Sequence, residues 1–383
     1  MKILYLVNNL SFLASHRLNL IKHCRALDYE VHIVAPKSET DKWVFEQMGC
    51  YVHPWDLHRR SLNPLREWQA LRQLVRLYRH VKPDLTHHVS IKPVIYGGIA
   101  AAVTHIRCKV HAITGLGASY ISETLRARLI RWLLQYGFKF ISRQARTTFI
   151  FQNRDDQTLF IANKFIRREQ ARIIYGAGVC MRAYHPLPLP KGESGVVVLA
   201  SRLLVDKGVI EFVQAAQQLR SKINVRCVLV GEVDPGNPAS LTAQQINVWV
   251  TAGFVEWWGH QEDMNAVFRK CHVVCLPSYR EGSPRVLIEA AAVGRPIITT
   301  DVPGCRDLVL EGVNGYLVPV KNACALAKAI EKIFEGHPPL AIMGQKSREL
   351  VELKYAETKV VSDTFDIYQE LLMEEECKIF NER

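Results

Sequence analysis

The chain has 383 residues, 48% apolar and 22% charged. That is ordinary globular usage at a length suited to about two domains, and it excludes a disordered, collagen-like or coiled-coil chain. The net charge of +12 is lopsided: residues 1–190 carry +16 and residues 191–383 carry −4, so the basic half suits an anionic partner such as nucleic acid, a membrane surface or a phosphate-bearing substrate.

The opening run MKILYLVNN is too short for a secretory leader and reads as a buried strand over Lys2–Val7. In the next segment, LVNNLSFLASHRLNLI, Ser15 reads as an N-cap ahead of His16. Asn9, Ser11, Ser15 and His16 are candidate polar contacts to a substrate. Leu20, Ile21, Cys24 and Leu27 share a helical face, and Val31–Ala35 is the next strand. A second helical face carries Leu65, Trp68, Leu71, Val75 and Tyr78.

Strand Leu85–Val89 brings His87 and His88 to its end, with Lys92 following. Successive strand residues face opposite sides, so at most one of the two histidines points into a cleft. The apolar stretch near Pro93–Val103 is too short to span a bilayer. Strand Lys109–Thr114 runs into ITGLGASY, where Gly115 and Gly117 permit close substrate approach. In residues 124–146 the residues Leu125, Leu129, Trp132, Leu133, Tyr136 and Phe140 fall in one helical sector. Arg126, Arg128, Arg131 and Lys139 flank it, while Ile130 and Leu134 lie on the far side. A basic amphipathic helix of this kind can rest in an anionic lipid interface. Strand Thr147–Phe151 closes the series.

The stretch HPLPLPKGESG, residues 185–195, has the composition of a linker. A second alternation follows. Its strands are Val196–Ala200, Val225–Val230, Val273–Pro277 and Pro296–Thr300. Its helices are Val209–Leu219, Pro284–Val293, Ala323–Phe334 and Pro339–Tyr355, with a last helix from about Glu357. The expectation is an α/β protein of two Rossmann-like domains facing across a cleft, residues 1–187 and 188–356. The terminal helix, about 357–383, is expected to pack back onto the first domain. The ten cysteines are scattered without a C-x-x-C pair, and Cys271 and Cys275 read as buried reduced thiols. A cytoplasmic location is the default for such a chain.

Arg202 and Lys207, in LASRLLVDKGV, follow a strand end just before a helix, which makes an anion site. In LPSYREGSPRVLIEAAAVGRPIITT a strand ends in Pro-Ser, Glu281 and Gly282 lie in a loop, Ser283 can cap and Pro284 can start the helix. Glu289 sits on that helix, where a carboxylate can accept from vicinal sugar hydroxyls.

This segment resembles the E-x7-E region of retaining GT-B glycosyltransferases (group 1, family 4). The resemblance also takes in Arg202, Lys207, Gly231, Gly259 and the stretch DVPGCRDLVLEGVNGYLVP. It implies that Arg202 and Lys207 neutralise the diphosphate of a nucleotide sugar, with UDP the expected nucleotide and GDP the alternative. Glu281 would contact the transferred sugar and Glu289 the ribose. Gly231, Gly259, Ser278, Gly282, Ser283, Pro284 and Arg285 would complete the donor site. It further implies retention without a metal or other cofactor, and no convincing D-x-D motif is present. The first-domain segments, with FQNRDDQTLF and IYGAGV, resemble the subgroup acting on polyprenyl-diphosphate-linked intermediates of bacterial surface polysaccharides. On that resemblance His87 or His88 would serve catalysis or bind the acceptor. Asn9, Ser11, Ser15, His16, Lys92, Gly115 and Gly117 would contact the acceptor on the inner face of the cytoplasmic membrane.

The alternatives are weaker. An epimerase can share the architecture but needs no lipid-facing surface. A two-carboxylate hydrolase leaves the cations unexplained. A nucleic-acid binder lacks any recognisable motif, and a dehydrogenase lacks G-x-G-x-x-G after the first strand.

Overall fold

The computed structural model describes residues 1–37, 41–57, 63–117, 120, 124–192 and 194–381, without the side chains of Arg126 and of residues 374–381. The placement of Arg126 beside the apolar sector therefore lies outside the described side chains. The chain forms two compact units, Met1–Ala177 with Thr358–Arg383, and Gly178–Glu357.

The first unit holds β1 (Lys2–Leu6), β2 (Glu30–Pro36), β3 (Tyr51–Trp55), β4 (Leu85–Val89), β5 (Cys108–Ile113), β6 (Thr147–Phe151) and β7 (Ala171–Ile173). They pair in parallel in the order β3-β2-β1-β4-β5-β6-β7. The strands read as near-continuous apolar runs because helices cover both faces of such a sheet. Helix Leu10–Ala26 and the terminal helix Glu357–Asn381 share one core with it, through Leu20, Ile21, Phe365, Tyr368 and Leu372 among others. Helices Pro64–Val81, Ile91–Val103 and Leu125–Ser142 supply two further cores among the described residues.

Two strands of this unit were not legible in the sequence, nor were β10 (Glu256–Trp257) and β13 (Gly315–Val318) of the second unit. β3 contains Pro54, which donates no backbone hydrogen bond and is tolerated because β3 is an edge. β7 is only three residues long. The first helix also starts earlier than expected. Asn9, not Ser15, caps it, accepting from the Phe12 N–H at 3.1 Å.

The second unit orders its strands β10-β9-β8-β11-β12-β13. These are β8 (Gly195–Ala200), β9 (Val225–Val230), β10 (Glu256–Trp257), β11 (Val273–Leu276), β12 (Ile297–Thr300) and β13 (Gly315–Val318). The chain passes between units at Ala177–Gly178, ahead of the proline-rich stretch. That stretch is strapped to the second unit rather than being a linker. The buried Arg295 donates to the carbonyls of Leu187 and Pro188, both at 2.7 Å, and the Leu187 N–H donates to Val293. Prolines lack N–H groups but keep carbonyls, and a buried guanidinium needs several acceptors. Cys271 and Cys275 are separate buried thiols, and burial pushes Cys271 up to about 12.

Candidate functional site

In the second unit the strand order reverses between β8 and β11, and a crevice opens beyond the carboxyl ends of the strands at such a switch point. Beyond β8, Lys207 ends a short 3-10 turn closed by Gly208 in left-handed backbone. A side chain at Gly208 would place its Cβ 2.1 Å from the Pro277 carbonyl oxygen. Beyond β11, the Tyr279 N–H and Ser278 Oγ both donate to the Asp206 carbonyl, at 2.9 and 3.1 Å. Beyond β12, Thr300 Oγ1 donates to the Ser278 carbonyl, and Pro303 accepts from the Glu281 N–H at 3.2 Å. Three strand-end loops are thus stitched together. The stitching brings the Lys207 ammonium onto the Glu281 carboxylate, with side chains only 18% and 13% exposed. Ser278 is fully buried. Its hydroxyl holds the loops together by donating to the Asp206 carbonyl.

Helix Arg285–Ala292 follows the Glu281 loop. Pro284, not Ser283, is its N-cap residue, in extended backbone and without a side-chain cap. The first-turn N–H groups carry the positive end of the helix and have no side-chain acceptor from the cap. Glu289 lies one turn in and is 5% exposed. Arg285 Nε donates to it at 2.6 Å, and the Tyr184 hydroxyl is pushed up by burial and by this same carboxylate.

A cavity of about 490 Å³ lies at the ends of β8 and β9, lined by Arg202, Gly231, Asp234, His260, Val286 and Glu289 among others. Lys207 follows Arg202 on the loop beyond β8, and Glu281 lies on the loop beyond β11, ahead of the helix that carries Glu289. Arg202 reaches Asp234 at 3.0 Å. Gly231 donates to the Gly259 carbonyl at 2.7 Å and accepts from Trp257 Nε1, which fixes the β9 end against β10. Gly282 and Ser283 are half-buried beside Glu281. The sequence pointed to the cations and the glutamates. It gave no signal for Tyr184 or Asp234, whose roles arise only from distant contacts.

In the first unit the expectations divide. His87 and His88 are both fully buried, so neither is presented at an edge open to substrate. His87 meets the Tyr368 hydroxyl of the terminal helix, while His88 bonds Tyr78 at 2.9 Å and His111 at 3.0 Å. Burial, with Arg17 next, holds His87 well below its usual range. Burial, with Lys109 next, holds His88 down to about 3. Lys92 is engaged by Glu67 at 3.1 and 3.2 Å. Ser11 bonds Asp41, and Ser15 bonds His16 Nδ1 at 2.7 Å, with His16 stacked on Phe12. Gly115 and Gly117 both have positive φ, and Gly117 is exposed with open space around it.

Helix Leu125–Ser142 turns its apolar sector to solvent. Leu125, Leu129, Trp132, Leu133, Tyr136 and Phe140 are all at least half exposed. Ala127, Phe138 and Ile141 face the core. Among the described residues no helix is long and apolar enough to cross a membrane.

Comparison with known proteins adds the following. A family model described as Glycosyl transferase 4-like matches residues 2–153, and one described as Glycosyl transferases group 1 matches residues 194–336. The chain is 26% identical to the N,N'-diacetylbacillosaminyl-diphospho-undecaprenol alpha-1,3-N-acetylgalactosaminyltransferase of Campylobacter jejuni, over 93% of this chain and 95% of that one. It is 22% identical to the UDP-Gal:alpha-D-GlcNAc-diphosphoundecaprenol alpha-1,3-galactosyltransferase of Escherichia coli, over 82% of each. The crystal structure of Anabaena Alr3699/HepE in complex with UDP matches with a TM-score of 0.75 at 20% identity, over 97% of this chain and 100% of that one. At that identity the likeness speaks to the fold, two Rossmann-like domains in the GT-B arrangement.

Proposed function

The chain is a glycosyltransferase of GT-B architecture, and on that premise we propose that it moves a sugar from a nucleotide diphosphate sugar, UDP foremost, to a polyprenyl-diphosphate-linked saccharide during surface polysaccharide synthesis. The observation that carries this reading is the buried Lys207–Glu281 pair beside a cavity lined by Arg202 and Glu289. As the bond to the donor sugar breaks, negative charge grows on the departing diphosphate. Arg202, Lys207 and the uncapped helix start at Ser283–Arg285 would stabilise that charge. Glu281, held against Lys207, would orient the transferred sugar, and Glu289, held by Arg285, would accept from the ribose hydroxyls. Gly231 and Gly259 would let the nucleotide approach backbone. Transfer with retention and without a metal belongs to the same reading.

The first unit would carry the acceptor, with Asn9, Ser11, Ser15, His16, Lys92, Gly115 and Gly117 as the candidate contacts. Gly115 and Gly117 are the best placed of these, since Lys92, Ser11 and Ser15 already have partners. Helix Leu125–Ser142 would hold the enzyme on the anionic inner face of the cytoplasmic membrane. Specific nucleic-acid binding is no part of this reading. An epimerase is disfavoured, because the Campylobacter jejuni and Escherichia coli relatives are named as transferases. The test is to incubate the purified chain with a panel of nucleotide sugars and a synthetic polyprenyl-diphosphate saccharide. One added hexose in the product supports the proposal. Interconversion of donor sugars without transfer overturns it.

A further inference from the structure

The apolar sector of helix Leu125–Ser142 is not evenly placed along the first unit. Ile95 packs over Gly137, and Ile141 packs over Gly98. Both contacts advance in the same direction, so this helix runs parallel to helix Ile91–Val103. At about 1.5 Å per residue, Gly137 lies about 18 Å from its helix start and Ile95 about 6 Å from its own. Helix Leu125–Ser142 therefore begins about 12 Å farther out. Because Ile91 follows the end of β4 directly, that start marks the carboxyl edge of the sheet. The turns bearing Leu125 and Leu129 overhang this edge.

A second apolar corner lies at the level of the edge itself, on the other side of helix Ile91–Val103. Glu67, in the first turn of helix Pro64–Val81, is tied to Lys92 and Tyr96. This aligns the two helix starts. Beside it Leu65 is 73% and Trp68 56% exposed, with the Arg72 guanidinium 5.1 Å over the Trp68 ring. Both corners are cationic: exposed Arg66 and Arg72 lie in the first turns of helix Pro64–Val81, and Arg128 and Arg131 in those of helix Leu125–Ser142. Glu67 is the only acidic residue in either helix, and its charge is matched by Lys92.

We propose that this edge is a two-point bilayer contact, in which the overhanging turns of helix Leu125–Ser142 and the Leu65–Trp68 corner enter the headgroup region of an anionic membrane together. The proposal rests on the lipid-linked acceptor of the preceding reading and deepens it. A single interfacial helix leaves the protein free to roll about that helix axis. A second contact one intervening helix away, about 20 Å at ordinary packing distances, removes the roll. The sheet edge carrying the Gly115–Gly117 loop then faces the headgroups, where an acceptor diphosphate lies. Paired aromatic and cationic residues are what such an interface selects: rings at headgroup depth, and arginines on anionic lipid.

The test uses the full chain with vesicles of phosphatidylglycerol and phosphatidylethanolamine, and of phosphatidylcholine alone. Leu65→Ser with Trp68→Ser is expected to weaken partition onto the anionic vesicles about tenfold, as is Arg128→Glu with Arg131→Glu. Brominated lipid should quench less of the tryptophan fluorescence in Trp68→Phe than in the natural chain. Unchanged partition of the Leu65/Trp68 variant, or unchanged quenching, overturns the proposal. Loss of a dimer in the same variant, seen by sedimentation velocity without loss of vesicle binding, also overturns it and makes the corner a contact between copies. Transfer to a water-soluble, short-prenyl acceptor should survive in both double variants. If the natural chain transfers to no acceptor at all, the enzymatic reading fails, while the vesicle measurements still decide the contact.

Discussion

The ammonium of Lys207 rests on the carboxylate of Glu281, 74 positions away in sequence, on loops that leave β8 and β11. The contact exists because Asp206, Ser278, Tyr279 and Thr300 cross-link those loops through backbone carbonyls. The pair is more than four-fifths buried, so its partners are not interchangeable with solvent. Glu281→Gln and Lys207→Met are each expected to lower kcat about a hundredfold or more. Each leaves the other partner as an unpaired buried charge, so the melting temperature should also fall by several degrees, and kcat is compared per folded molecule. Activity close to the natural level in Glu281→Gln would falsify the assigned site.

Gly304 serves that geometry from a third loop. It has φ +78°, and a Cβ there would lie 2.6 Å from the carbonyl oxygens of both Glu281 and Gly282. Backbone must move to admit it, and the left-handed conformation adds strain for any other residue. Gly304→Ala should cost about 1–3 kcal/mol of stability and lower kcat by displacing Glu281. Chemical denaturation and steady-state kinetics measure the two effects. A stability loss with full kcat in the folded enzyme would separate Gly304 from the site.

How much of this was legible in the sequence follows from the range of each interaction. The central strands were readable because covered parallel strands are apolar throughout. β3 was not, because Pro54 imitates a loop. Arg202, Lys207, Glu281 and Glu289 stood out because their types, beside strand ends and a helix start, already suggest phosphate and sugar chemistry. Tyr184 and Asp234 did not, because only the folded chain brings them to Glu289 and Arg202. That both His87 and His88 are buried was not legible either. Alternation along a strand assigns the two rings to opposite faces, but in this sheet helices cover both faces.

Asp234 is a test of the donor cavity itself. Its carboxylate pairs with Arg202 and contributes a negative charge to the wall a diphosphate would approach. Asp234→Asn should therefore tighten binding of UDP severalfold while leaving uridine binding unchanged. The gain should shrink at high salt, because Arg202 is well exposed and screening is effective there. Calorimetric titration of both ligands decides the matter. Weaker UDP binding in the variant would mean that Asp234 positions Arg202 for the diphosphate rather than competing with it.

Removal of divalent ions should leave transfer unaffected, since the proposed neutralisation of the leaving group comes from Arg202, Lys207 and the start of helix Arg285–Ala292. Rates measured with chelator and with added magnesium or manganese provide the check. A strict requirement for either metal would overturn the assignment of that role to the two cations.

The buried histidines make the last prediction, and its sign can be worked out. His88 in the folded chain titrates near 3, against about 6.5 when unfolded. His87 is shifted the same way by the same cause, burial. Below 6.5 the unfolded chain takes up protons that the folded chain refuses, so stability is fully present above pH 6.5 and is lost as pH falls toward 3. His88→Gln removes one of these protonation sites and should flatten that slope. It should also destabilise the protein at pH 7.5, since Tyr78 and His111 lose a partner inside the core. Per folded molecule, transfer by His88→Gln should stay within a few-fold of the natural rate, because the ring lies beneath the surface between two covered faces. Denaturant melts from pH 4.5 to 8 with rates at pH 7.5 test both parts. A folded His88→Gln enzyme with abolished transfer would return His88 to the catalytic machinery.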